Sequence, residues 1–206
     1  THQEGRRCGP QGDEGHARGR CRAAAGPVDA AAGRPEASHR RGAAPGAGAG
    51  QGARAAAAGA KLVVLPENVL YVADDDGDDT KRRIAEAWFD AALTRMAALA
   101  RAHHLTLVAG TCPEPDPASR RVFNTLVVFG PDGAEIARYR KVHLFDIALA
   151  NGPTHRESDT VSPGAESIVA PSALGAIGLS VCYDVRFPEL YRTLVARGAE
   201  MLVDDR

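Results

Sequence analysis

The chain has 206 residues, 44% of them apolar and 25% charged, with a formal net charge of -1 at pH 7. This is the balance of an ordinary globular protein, long enough for one sizeable domain or two small ones. It gives no electrostatic reason to expect nucleic acid or an anionic membrane as a partner, and no apolar run approaches the length of a membrane span.

No apolar core of a secretory signal is visible near the N-terminus, so a reduced, cytoplasmic setting is the simplest expectation. The four cysteines (Cys8, Cys21, Cys112 and Cys182) lack the paired short spacings of a zinc site or a redox motif. Only three lysines, Lys61, Lys81 and Lys141, stand against 22 arginines. Any lysine with a chemical role is one of those three.

Residues 1–58 differ from the rest. From Thr1 to Ala60, Val28 is the only residue among Val, Ile, Leu, Met, Phe, Trp and Tyr, and 13 of the 22 glycines fall there. Such a segment buries too little apolar surface to offset its ordering entropy, so disorder is expected. Its nine arginines and five acids are mildly basic, but no aromatics are interleaved to stack on bases. The missing initiator Met and the abrupt change at Lys61 suggest a segment read out of frame or from a mis-set start. Recovery of these residues by peptide mapping of the natural protein would exclude that reading. Residues 59–206 form the candidate globular domain.

Lys61–Leu65 (KLVVL) reads as a buried strand closed by Pro66, with Glu67 directly after it. A carboxylate there points to the C-terminal edge of a sheet, where open α/β folds place their chemistry; a solvated loop glutamate is the plainer alternative. Thr80 is a candidate N-cap for a helix over Lys81–His103, whose stripe of Ile84, Trp88, Ala92, Met96 and Leu99, widened by Phe89 and Leu93, predicts packing on a sheet. Trp88 and Met96 are expected in the core. His103 and His104, at the end of this helix, lack the partners a metal site needs. Leu105–Gly110 predicts a strand. Phe123–Phe129 and Ala134–Val142 flank Gly130-Pro131-Asp132-Gly133, a hairpin signal whose second arm delivers Lys141. Asn151–Gly164 reads as a loop containing Glu157. Ser167–Ala170 and Gly175–Cys182 predict two strands, Glu189–Arg197 a helix, and Met201–Val203 the start of another strand.

Cys182 occupies a singular place. The apolar run Ile177–Val181 ends at it, the chain turns polar through Tyr183-Asp184-Val185-Arg186, and Pro188-Glu189 opens a helix. A thiol where a strand gives way to a helix is exposed at a sheet edge and close to backbone N–H groups able to bind an oxyanion. A buried structural cysteine fits the local pattern as well.

Four stretches taken together break that tie. LPENV around Glu67, YRKVHLFD around Lys141, RESDTVSPG around Glu157 and GLSVCYDVRFPELYR around Cys182 resemble, in order, the motifs of the nitrilase superfamily of carbon–nitrogen hydrolases. The spacings of 16 and 25 residues between Lys141, Glu157 and Cys182 are similar to those of its Nit amidase branch. The resemblance covers roughly residues 59–203. It implies an α/β fold, a partial αββα sandwich of the nitrilase type that forms a homodimer when complete. It implies a Glu67–Lys141–Cys182 triad supported by Glu157, and a small carboxylate-bearing amide as substrate, with no metal and no organic cofactor.

In that scheme Glu67 takes the proton of Cys182 and later activates water, while a cationic Lys141 favours the thiolate and stabilises the tetrahedral oxyanion. The N–H of Tyr183 is a candidate second oxyanion donor. Arg186 is a candidate bidentate partner for a substrate carboxylate, or else pairs with Asp184 or Glu189. Two alternatives stay open: hydrolysis of N-carbamoyl amines or nitriles by the same site, and a catalytically silent or redox-responsive thiol chain. The resemblance departs at Ala148–Gly152, where the branch carries a Pro-Gly turn, and at both ends. Low-complexity sequence stands where a first strand and helix are expected, and Val203-Asp204-Asp205-Arg206 stands where further strands are expected.

Overall fold

The computed structural model describes residues 47–69, 78–150, 152 and 154–205. All described residues belong to one compact unit. Most of the expected disordered segment, with Cys8 and Cys21, lies outside the described residues, as do residues 70–77.

Its last part is a correction. Ala47–Ala57 is a helix, α1, and Ala55 and Ala56 pack on the core. Alanine is the best helix former and carries no side-chain entropy to lose, so a run poor in large apolar residues still makes a helix once a neighbour covers it. Gly52 permits the close approach: a Cβ there would lie 2.6 Å from Leu99 Cδ2.

Strand β1 (Leu62–Val64) pairs in parallel with β2 (Thr106–Pro115) across the long helix α2 (Asp78–His103). β2 is longer than its apolar run, because its polar second half pairs with β3 (Val122–Phe129) as far as Pro115. β3 pairs antiparallel with β4 (Glu135–Arg140) through the expected Gly130–Gly133 turn. The stretch read as a loop over Asn151–Gly164, with the residues just before it, holds more structure. β5 (Asp146–Ala148) and β6 (Thr154–Arg156) form a small ribbon, Glu157–Asp159 is a 3₁₀ turn, and β7 (Val161–Ser162) pairs in parallel with the start of β3. A second sheet has the order β10 (Met201–Asp205), β9 (Ile177–Val181), β8 (Val169–Ala170), with α3 (Pro188–Ala196) between β9 and β10.

The period-two alternation of β2 and β3 sets the layering. Leu107, Ala109, Val127 and Phe129 face Phe89, Ala92, Met96 and Ala100 of α2, whereas Val108, Leu126 and Val128 face Ile177, Leu179 and Val181 of the second sheet. Buried on both faces, these strands read as continuous apolar runs. Leu190 and Leu194 of α3 close the outer face of β9, where a Cβ on Gly178 would lie 3.1 Å from that of Leu194. The order helix, sheet, sheet, helix is the αββα sandwich expected from the motifs.

Two local expectations change. α2 begins at Asp78, so Thr80 lies inside its first turn and is not the N-cap. The buried stripe of α2 is Ala85, Phe89, Ala92, Met96 and Ala100, and Trp88 is 39% exposed at its margin. The sheet meets the face that carries these alanines with Phe89 and Met96, and Trp88, one position round, lies at its edge.

Candidate active site

Each candidate side chain stands at the C-terminal edge of a strand. Glu67 follows β1, held on both sides: Leu65 N–H donates to Val108 O (2.9 Å), and Asn68 N–H donates to Thr111 Oγ1 (2.8 Å). Asn68 has φ 55°, and Gly110 has φ 69° in the β-bulge between Val108 and Thr111. A Cβ on Gly110 would sit 2.5 Å from Pro66 O, so glycine lets the Glu67 loop close over β2.

Lys141 follows β4. Its N–H donates to Asn124 O (2.9 Å), and its carbonyl accepts from Gly164 N–H (2.8 Å). Gly164 is required there, since a Cβ would collide with Arg140 O. The 3₁₀ turn presents Glu157, whose Oε2 accepts from Phe145 N–H at 2.7 Å.

The side chains converge. Lys141 Nζ is 3.0 Å from Glu67 Oε1 and 3.1 Å from Glu157 Oε2, and its side chain is 2% exposed. Asn124 Nδ2 donates to Glu67 Oε1 at 2.8 Å and reaches Glu157 Oε1 at 3.5 Å. Burial opposes the charge on Lys141, but the carboxylates of Glu157 and Glu67 outweigh it and hold its pKa above the ordinary lysine value. A buried ammonium between two carboxylates is a mutually dependent set: removing one member leaves an uncompensated charge, typically at about 3–5 kcal/mol.

Cys182 has φ 48°, in the left-handed region, at the step from β9 into the 3₁₀ turn Cys182–Arg186. Such a conformation costs of order 1–3 kcal/mol in a non-glycine residue and persists only where the surroundings enforce it. Here Asp184, fully buried, accepts from Val181 N–H (2.9 Å), the Tyr139 hydroxyl (2.7 Å) and His143 N–H (3.0 Å). The Cys182 thiol shares the cavity with Glu67. Burial, then the interaction with Glu67, push its pKa up to about 11 against the lowering effect of Lys141. Lys141 thus favours the thiolate in the expected direction, but burial and the charge of Glu67 outweigh it.

These groups line a cavity of about 250 Å³ with Lys81, Val122, Phe123, Asn124, Phe145, His155 and Val161. That is near the lower end of the ~300–1,000 Å³ of drug-sized sites and suits a small molecule. Tyr183 lies in the Cys182 turn with its ring edge-on to Phe145 and Phe187. Arg186 is exposed and does not line the cavity. Asn124 was not anticipated, although an amide in the apolar run VFNTLVVF was its visible signal. Asp184 entered only as a possible partner of Arg186. Among the described residues, no three His, Cys, Asp or Glu side chains are grouped so as to hold a metal ion, and no helix is long and apolar enough to cross a membrane.

Residues 30–206 match the carbon–nitrogen hydrolase family. The chain is 40% identical over 149 residues to the deaminated glutathione amidase of Synechocystis sp., covering 70% of this chain and 53% of that protein. It is 38% identical over 151 residues to human omega-amidase NIT2, covering 72% and 52%. It thus spans about half the length of these relatives. A solved variant of the amidase from Nesterenkonia sp. AN1 superposes with a TM-score of 0.63 at 28% identity, covering 76% of this chain and 57% of that one. The sandwich, the edge-of-sheet site and the match over most of its length place the chain in the carbon–nitrogen hydrolase family, with the nitrilase-type fold.

Proposed function

We propose that the chain carries an amidase site that hydrolyses the C–N bond of a small carboxylate-bearing amide through a thioester on Cys182. The observation that carries this reading is Lys141 held between Glu67 and Glu157, with the Cys182 thiol in the same cavity. Deaminated glutathione amidase and omega-amidase among the relatives support the substrate class. The Nesterenkonia amidase, in which acrylamide adds to the active-site cysteine, supports the nucleophile.

With a pKa near 11 the thiol is not ionised in advance, so its proton moves to Glu67 as sulfur attacks the amide carbonyl. Lys141 Nζ and the Tyr183 N–H receive the developing oxyanion. The C–N bond then breaks, and Glu67 returns the proton to the departing nitrogen, releasing ammonia. Water attacks the thioester while Glu67 takes its proton. The C–S bond breaks, the carboxylic acid leaves, and the proton returns to sulfur. Glu157 keeps Lys141 in place throughout, and no step calls on a metal or an organic cofactor. Cytoplasmic location and a homodimeric assembly belong to the same reading.

The test is ammonia release from a panel of ω-amides, including α-ketoglutaramate and deaminated glutathione, with Cys182→Ala as control. Release that disappears in the variant is expected. Release unchanged in the variant, or none from folded wild-type chain, would overturn the reading; carbon dioxide appearing with ammonia from N-carbamoyl amines would favour the related carbamoyl hydrolysis.

A further inference from the structure

The deep end of the cavity carries one ammonium, Lys141, and two carboxylates, Glu67 and Glu157, so its formal charge is negative. A substrate bearing its own carboxylate is repelled from such a floor unless a cation meets it elsewhere in the same cavity. Arg186, the basic residue nearest the nucleophile in sequence, is turned away to solvent.

A cation does line the cavity. Lys81 stands in the first turn of α2, and its Nζ donates to Thr160 Oγ1 at 2.9 Å. Thr160 closes the 3₁₀ turn that carries Glu157, so this bond fixes the ammonium relative to the catalytic cluster. Besides Lys141 it is the only lysine or arginine among the described residues that line the cavity. Val122, Phe123, Phe145 and Val161 supply an apolar wall in the same cavity, suited to a short methylene chain.

We propose that Lys81, positioned by Thr160, receives the substrate's carboxylate and makes the site selective for amides carrying a negative charge at the end remote from the scissile bond. This rests on the amidase reading above and assigns its specificity to a residue outside the triad. An ammonium is a compact point charge, so it tolerates carboxylates arriving at different angles where a guanidinium fork would not.

The experiment compares succinamate with butyramide, which matches its carbon chain but is uncharged, on the wild-type chain and on Lys81→Met and Lys81→Arg. Loss of one partly desolvated charge pair should raise KM for succinamate by about tenfold or more in Lys81→Met. Its kcat should hold within about twofold, butyramide should be unaffected, and Lys81→Arg should recover most of the difference, because only ground-state binding is touched. In parallel, succinate should slow iodoacetamide alkylation of Cys182 in wild type and not in Lys81→Met. Equal losses on both amides, or an unchanged KM for succinamate, would overturn the assignment. No hydrolysis with Lys81-dependent protection would sink the amidase reading and leave the carboxylate site standing; neither hydrolysis nor protection would remove both.

Discussion

The Tyr139 hydroxyl donates to Asp184 Oδ2 at 2.7 Å, tying the strand that leads into Lys141 to the turn that carries Cys182. Asp184 Oδ1 accepts from His143 N–H and lies 2.7 Å from His143 Nδ1, and Oδ2 also accepts from Val181 N–H. Tyr139 and His143 flank Lys141 two residues to either side, and Val181 precedes Cys182. One buried side chain therefore sets the separation of nucleophile and lysine, and it makes the left-handed backbone at Cys182 tenable.

Tyr139→Phe should remove one donor while leaving the others on Asp184, at a cost of about 1–2 kcal/mol. Asp184→Ala should cost several kcal/mol, since it strands the Val181 and His143 N–H groups and the Tyr139 hydroxyl in the interior, each at about 1–3 kcal/mol. Urea unfolding followed by far-UV circular dichroism measures both. Equal, small losses would show that the turn is held by packing and not by this carboxyl group.

The raised thiol pKa gives a pH profile. With a pKa near 11, about one Cys182 in 10⁴ is thiolate at pH 7. Its alkylation rate should keep climbing beyond pH 9, where an ordinary cysteine levels off. Glu67→Gln removes the negative charge that favours the protonated form while keeping an amide oxygen as acceptor, so it should move the profile to lower pH. Iodoacetamide labelling read by intact mass spectrometry checks this, and a plateau near pH 9 in wild type would contradict the electrostatic account of the site.

Helix α2 offers a test of which face is buried. Phe89→Ala and Met96→Ala empty well-packed positions, 9% and 2% exposed, and should cost about 2–5 kcal/mol each. Trp88→Ala removes a larger side chain from a 39% exposed position and should cost far less, within about 1 kcal/mol. Thermal melts of the three variants decide it. A Trp88 loss matching that of Met96 would put the stripe back where residue spacing alone had it.

That contrast also marks what could be read from the residues. The strands announced themselves because both faces of the first sheet are buried, which forces unbroken runs such as Leu105–Gly110 and Phe123–Phe129. Glu67, Lys141, Glu157 and Cys182 were legible as four ordered motifs, each at a strand end or in a turn, although no local signal says that they meet. Their meeting depends on pairings between distant segments, β1 with β2 and β3 with β4, and on Gly110 and Gly164 admitting close backbone contacts. Trp88 was misplaced because apolar periodicity ranks residues by hydrophobicity, whereas the sheet covers the face that carries Ala85, Phe89, Ala92, Met96 and Ala100. α1 was missed for a related reason: alanine contributes helix propensity without a hydrophobic signature. Lys81 belongs to the cavity through tertiary geometry alone, whereas Asn124 showed itself only as a polar residue inside an apolar strand.

Asp205 supplies a last prediction, on stability. It ends β10 opposite Val181, is 1% exposed, and its carboxyl oxygens find no hydrogen-bond partner among the described residues. Burial, then the charges of Glu67 and Asp204, raise its pKa from 3.8 to about 8 against the pull of Lys141. The folded chain therefore holds this proton over a range in which the unfolded chain has lost it. The stability it confers is complete below about pH 4 and is lost as pH rises through 8. Asp205→Asn keeps the shape and cannot ionise. Its melting temperature should equal that of wild type near pH 4 and exceed it near pH 9, because only the wild type must then bury a charge beside two carboxylates. Paired melts at the two pH values cancel the other titrating groups, which both proteins share. A difference that stays the same at both would mean that Asp205 is ionised throughout, with Lys141 and not burial deciding its charge.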